Sequence, residues 1–148
     1  MHDKLTLNMV VSDAREAMAF YEAVFHAIRG DVYLFPDKVG ENEANISVGN
    51  VALRLIDENA AYRCHPPKKG EVDSIWLQII VDDVEAVLQR AKEQGAVVGQ
   101  EVSEFMGTKH AEITDPFGYT WTINQILQEY TYEERYQFYV KLQEEAAE

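Results

Sequence analysis

Leu5-Thr6-Leu7-Asn8-Met9-Val10-Val11-Ser12-Asp13-Ala14 sets a pattern that Ile75-Trp76-Leu77-Gln78-Ile79-Ile80-Val81-Asp82-Asp83-Val84 repeats 70 positions later. In the first copy Leu5, Leu7, Met9 and Val11 fall on one face of an extended chain, and Thr6, Asn8 and Val10 on the other. This period of two is that of a half-buried strand. Ser12 or Asp13 then offers a helix N-cap. Ala17, Phe20, Tyr21, Val24 and Phe25 follow at helical spacing, predicting an amphipathic helix over 14–25. In the second copy a strand over 74–81 meets the cap Asp82-Asp83. A helix over 84–94 follows, with Val84, Val87, Leu88 and Ala91 on one side and Gly95 as its C′ residue.

Strand-like stretches fill out each copy. In the first, Val32 to Phe35 is a short strand stopped by Pro36, and 37–45 is a charged loop. Ala44–Val48 and Val51–Ile56 read as a hairpin about Gly49-Asn50. In the second, Val97-Val98, 109–114 and 119–123 are strands, with the turn Asp115-Pro116-Phe117-Gly118 between the last two. Recurrence of the whole series points to duplication. The expected organisation is one domain, 1–148, with module one over 4–57, a connector over 58–73 carrying Pro66-Pro67, Lys68-Lys69 and Gly70, and module two over 74–125. Thr131-Tyr132-Glu133-Glu134 is a capping box opening a C-terminal helix over 131–147. Tyr132, Tyr136, Tyr139 and Val140 mark one face of that helix.

Composition narrows the function. Thirteen basic against 26 acidic residues give a net charge of −13, which repels phosphate backbones and argues against nucleic-acid binding. Such a surface attracts cationic small molecules or basic partners. No apolar run approaches the ~20 residues that span a bilayer, so no membrane role is expected. The single cysteine, Cys64, excludes an internal disulfide and fits a reducing, cytoplasmic setting. The chain starts directly in a strand pattern, with no signal-peptide-like segment. No Ser-His-Asp or Cys-His arrangement and no phosphate-cradling glycine loop occurs.

Two segments carry a resemblance. One runs from Val11-Ser12-Asp13-Ala14 through Phe20-Tyr21-Glu22-Ala23-Val24-Phe25. The other runs from Ile80-Val81-Asp82-Asp83-Val84-Glu85-Ala86-Val87 and is closed by Asp115-Pro116-Phe117-Gly118-Tyr119. Both are similar to the vicinal-oxygen-chelate superfamily of glyoxalases, bleomycin-resistance proteins and dioxygenases. Phe20-Tyr21, Thr120-Trp121 after the turn, and the helix opened by Thr131 most resemble its PhnB-like branch. The resemblance covers residues 4–140. It implies an α+β fold in which two βαβββ modules form a curved mixed sheet around a cavity, plus the C-terminal helix. It also implies frequent homodimers. His26 stands where the family usually has glycine, at a helix end that can require positive φ, and reads as a helix terminus and not a ligand.

Metal-using members of the superfamily carry His, Gln or Glu at four concave strand positions. By the resemblance, those positions are here Thr6, Arg54, Trp76 and Thr122. None is a good ligand. A guanidinium stays charged and repels a cation, and an indole N–H only donates. No metal and no cofactor is therefore expected. His2 is terminal, His65 sits in the connector, and only His110, with Glu112 on the same strand face, can reach a cavity. Alternation places Thr6, Asn8, Arg54, Trp76, Gln78, His110, Glu112 and Thr122 on the cavity side as candidate ligand-binding residues. Leu5, Leu7, Met9, Ile75, Leu77 and Ile79 then pack on helices. Arg54 suits a carboxylate or phosphate unless an internal partner such as Glu112 takes it. Trp76 suits stacking on a flat or cationic ligand. Glu112 and His110 are the candidate bases, and no catalytic residue is assigned. The expectation is a small-molecule binding or sequestering protein without metal. The alternatives are a metal-assisted lyase, isomerase or dioxygenase with an unorthodox site, and a dimeric interaction module.

Overall fold

The alternation around Asn8 becomes a strand with helices behind it, and the same happens around Gln78. The computed structural model describes residues 3–38, 40–68 and 74–147. Its first module runs β1 (Thr6–Val11), α1 (Ala14–Phe25), β2 (Ile28–Tyr33), β3 (Glu43–Val48) and β4 (Val51–Asp57). Its second runs β5 (Leu77–Ile80), α2 (Val84–Glu93), β6 (Val97–Phe105), β7 (Thr108–Thr114) and β8 (Thr120–Ile126). The sheet orders are β1-β4-β3-β2 and β5-β8-β7-β6. In each, the first strand lies parallel to the fourth and the remaining pairs are antiparallel. This is an α+β fold of two repeated modules with a C-terminal helix, α3 (Tyr132–Ala147).

Helix starts are held in the same way in both modules. Asp13 accepts from the backbone N–H groups of Arg15 and Glu16, and Asp83 from that of Ala86. The first amide of each helix is instead met by the end of the module's last strand. Asp57 Oδ1 accepts from Ala14 N at 2.7 Å, and Gln125 Oε1 accepts from Val84 N at 2.9 Å. These are corresponding positions, since Val11 pairs with Asp57 and Val81 N donates to the neighbouring Asn124 carbonyl. His26 closes α1 at φ 56°, so the glycine position is filled by a left-handed histidine. Gly95 ends α2 at φ +94°, with Ala96 N donating back to the Ala91 carbonyl.

The core lies between sheets and helices. α1 covers β3 and β4, α2 covers β6, β7 and β8, and the two helices touch. Leu53, Leu55, Ile113, Ile123 and Tyr21 are fully buried there. Arg90 donates from Nε and Nη2 to the Val24 carbonyl, tying α2 to the end of α1.

Four expectations are corrected. The strand read over Val32 to Phe35 is β2, which starts earlier at Ile28 and ends at Tyr33. The strand read over 74–81 contracts to Leu77–Ile80, leaving Ile75 and Trp76 before it. Val97-Val98 extends to a nine-residue strand ending at Phe105. Leu5 and Ile75, expected on helices, are 80% and 77% exposed because they precede the paired strands. In the connector, Ala60–Tyr62 forms a 3-10 turn closed by the Asn59–Cys64 bridge. Its Lys69 and Gly70, together with 71–73 and His2, lie outside the described residues.

Candidate functional site

Strand parity separates two faces. Leu53 and Leu55 are buried toward α1, so Arg54 between them points away from the helix. Ala111 and Ile113 are buried toward α2, so His110 and Glu112 point away likewise. Ladder pairing then shows which polar residues are neighbours. Asn8, Arg54 and Asn45 stand side by side across β1, β4 and β3. Gln78, Thr122 and Glu112 do so across β5, β8 and β7. The next row of that sheet sets Ile80 beside Asn124 and His110. Thr6 pairs with Ala52, one row away from Asn8. Trp76 lies outside the strands and is 53% exposed. Sequence reading thus identified members of two polar rows and, one row on, His110, while Thr6 and Trp76 stand apart from them.

Arg54 is internally paired. Its Nε donates to Glu43 Oε1 at 2.7 Å, its Nη2 bonds the same oxygen, and its Nη1 donates to Asn8 Oδ1 at 3.3 Å. The partner is Glu43 on β3, not Glu112. A cavity of about 310 Å³ adjoins this pair, bounded also by Asn42, Tyr62 and Cys64. A second, of about 380 Å³, lies where the modules meet, among Leu7, Leu53, Leu77 and Trp121, with Gln78 at its margin.

Glu112 has no hydrogen-bond or ion-pair partner among the described residues. Its carboxylate lies over Gly99 of β6, where an added Cβ would come within 2.9 Å of Oε1. Asn124 Oδ1 is buried without a donor, the one such side-chain atom found among the described residues. Sequence reading ended the last strand at Ile123 and so missed Asn124, although it continues the alternation from Thr122.

Asp115, read only as a turn residue, is a buried junction. Its Oδ1 accepts from Phe117 N and Tyr119 N at 3.0 and 2.9 Å, the geometry of an Asx turn. Its Oδ2 accepts from Tyr21 Oη at 2.5 Å and Trp121 Nε1 at 2.9 Å. Tyr21 belongs to α1, so this carboxyl group joins the modules. Burial pushes Asp115 above the usual carboxylate range even though four donors pull it down. Burial also lifts Tyr21 well above its ordinary value, and Tyr119 up to about 12. Every acceptor lobe in use has a donor, which makes the junction structural.

The metal positions implied by the resemblance hold a hydroxyl, a guanidinium already paired to Glu43, an exposed indole and a second hydroxyl. These side chains do not fit a divalent cation, which needs several carboxylates, imidazoles or thiolates converging. Among the described residues no group of three His, Cys, Asp or Glu side chains comes close enough to hold one.

A sequence model of the Glyoxalase/Bleomycin resistance protein/Dioxygenase superfamily matches residues 5–123. The chain belongs to that superfamily. Among its relatives is an uncharacterised protein of Mycobacterium bovis, 26% identical over 135 residues, covering 88% of each chain. An uncharacterised protein of Mycobacterium tuberculosis is equally similar, over 88% of this chain and 78% of that one. Solved structures share the fold of this superfamily member at low identity. FosX, a fosfomycin resistance protein of Listeria monocytogenes complexed with Mn(II) and dihydroxypropylphosphonic acid, superposes with a TM-score of 0.66 at 15% identity. The match covers 94% of this chain and 99% of that one. TioX from Micromonospora sp. ML1 gives 0.56 at 18% identity, over 85% and 100%. No helix among the described residues is long and apolar enough to cross a membrane.

Proposed function

We propose that this superfamily member is a PhnB-like, cytoplasmic homodimer that binds a small organic molecule without a metal ion, on the polar sheet faces. The observation that carries this reading is the side-chain set at the four superfamily metal positions: Thr6, Arg54, Trp76 and Thr122. The polar rows Asn8–Arg54 and Gln78–Thr122–Glu112 support a ligand face, since polar groups in a concave site fix a ligand's orientation. The PhnB-like branch is suggested by Phe20-Tyr21, the Asp115–Gly118 turn and the helix opened by Thr131. The Mn(II) of FosX belongs to a protein 15% identical and sets no expectation for these side chains.

The test is elemental analysis of the purified protein after incubation with zinc, nickel, manganese and iron, followed by dialysis. Less than a tenth of an equivalent of each is the expected outcome. One tightly held metal per chain would overturn the metal-free reading and place metal-assisted catalysis first.

A further inference from the structure

The polar face of the second module continues past His110 and Asn124. Phe105 pairs with Thr108, and Thr108 with Ile126, so these three form the next row on the same face, roughly 7 Å along the strands. α3 touches that row at Phe105. Phe138 meets the Phe105 ring edge to face at 5.7 Å, and Tyr139 lies at 6.3 Å from it. The approach to the helix is anchored. The Gly107 carbonyl accepts from Leu127 N at 2.7 Å and Gln128 N at 3.1 Å. Gly107 has φ +71°, and a Cβ there would sit 2.8 Å from the Gln128 carbonyl oxygen. The body of α3 is held lightly by contrast, for none of its described residues is buried. A fixed base and a loosely seated aromatic face place Phe138 and Tyr139 at the end of the polar rows.

The titratable side chains of those rows are Glu112 and His110. On the α3-bearing face of β5, β7 and β8, Glu112 is the only carboxylate, and ladder parity puts no lysine or arginine there. Lys109 points to the other face, where it pairs with Glu85 at 2.8 Å. Asn124 Oδ1 is buried beside His110 and lacks a donor, which leaves an acceptor unused at this face. Aromatic ring faces are themselves electron-rich and attract cations. In the first module, Arg54 is neutralised by Glu43, so it is not free to hold an anion.

We infer that α3 forms the aromatic end wall of a binding site on the second module's polar face, and that this site takes an organic cation with a flat apolar body. The cation's N–H groups meet Glu112 and Asn124, and its ring lies against Phe105, Phe138 and Tyr139. This rests on the small-molecule reading above and adds to it the ligand class and the part played by the helix.

The test uses the full chain and two flat probes, proflavine as the cation and 2-naphthalenesulfonate as the anion, titrated by fluorescence. Three proteins are compared: the unaltered chain, Glu112→Gln, and the double variant Phe138→Ala/Tyr139→Ala. Far-UV circular dichroism confirms that the variants fold, which the exposure of both α3 residues favours. Saturable proflavine binding is expected for the unaltered chain, weakened about tenfold in each variant, the size of a lost cation–π or charge-assisted contact. The anion is expected to bind no more than weakly. Loss in Glu112→Gln but not in the aromatic variant would remove α3 from the site while leaving the small-molecule reading intact. Saturable binding of the anion alone would overturn the cation class and keep a ligand site. Proflavine binding indifferent to both variants would mean a diffuse response to the −13 charge and would overturn the inference. Failure of both probes to saturate would remove the site itself.

Discussion

Asp115 shows how much one carboxyl group can organise. Two of its four donors are local backbone amides that shape the turn, and two are side chains on α1 and β8. Replacing Tyr21 with Phe keeps the ring packing and deletes only the hydroxyl, so a loss of about 1–3 kcal/mol is expected in urea unfolding. Burial raises Asp115 above its ordinary 3.8, so the folded state holds that proton more tightly than the unfolded chain does. The stabilisation linked to it is complete below the unfolded value and is lost as pH rises through the higher folded value. Titration of the Asp115 carboxyl carbon by NMR is expected to give a midpoint above 3.8, and higher still in Tyr21→Phe, which lacks a donor that favours the charged form. A midpoint below 3.8 would contradict the dominance of burial. None of this was readable from Asp115-Pro116-Phe117-Gly118, which announces a turn and is silent about a tyrosine 94 positions away.

At the scale of elements, the two modules solve one problem with unequal chemistry. Asp57 caps α1 and also accepts from Gly40 N, Asn42 N and Asn42 Nδ2, so it ties the loop before β3 to the helix. Among the described residues, the Gln125 side chain meets only Val84 N in the corresponding place. Asp57→Ala strands several buried donors and is expected to cost about 3–5 kcal/mol, against about 1 kcal/mol for Gln125→Ala. Chemical denaturation of both variants checks the ratio, and equal losses would mean that the loop contributes nothing. Elements with clean periodicity were legible beforehand, such as α1, α2, the β3–β4 hairpin and the Thr131–Glu134 capping box, whose reciprocal bonds are 3.2 and 3.3 Å. Those without it were not. In β2 and β6 the pairing register breaks, at Arg29/Val32 and around Gln100, so alternation is scrambled where it was sought.

For the whole molecule, the proposed homodimer is expected to sediment as two chains of 16.9 kDa at micromolar concentration. A single 16.9 kDa species would overturn it. Tyr132 and Tyr136, stacked on each other and 80% and 51% exposed, give α3 an apolar side not used within the chain. Fold was legible at this scale because duplication printed the same strand-cap-helix series twice. The candidate site was legible only by face. Parity placed Asn8, Arg54, Gln78, His110, Glu112 and Thr122 on the face away from the helices, but the partner of Arg54 depends on the β3–β4 register. Glu43 sits diagonal to it, and no local pattern encodes that diagonal. The breaks in β2 and β6 have one more effect. Each is one of the two edge strands of its sheet and leaves a row of backbone groups unpaired. A kinked edge is a poor template for a further strand, so these two edges resist the edge-to-edge growth that leads to aggregation. Straightening β6 would remove that guard first, since its nine residues form the longest strand among the described residues.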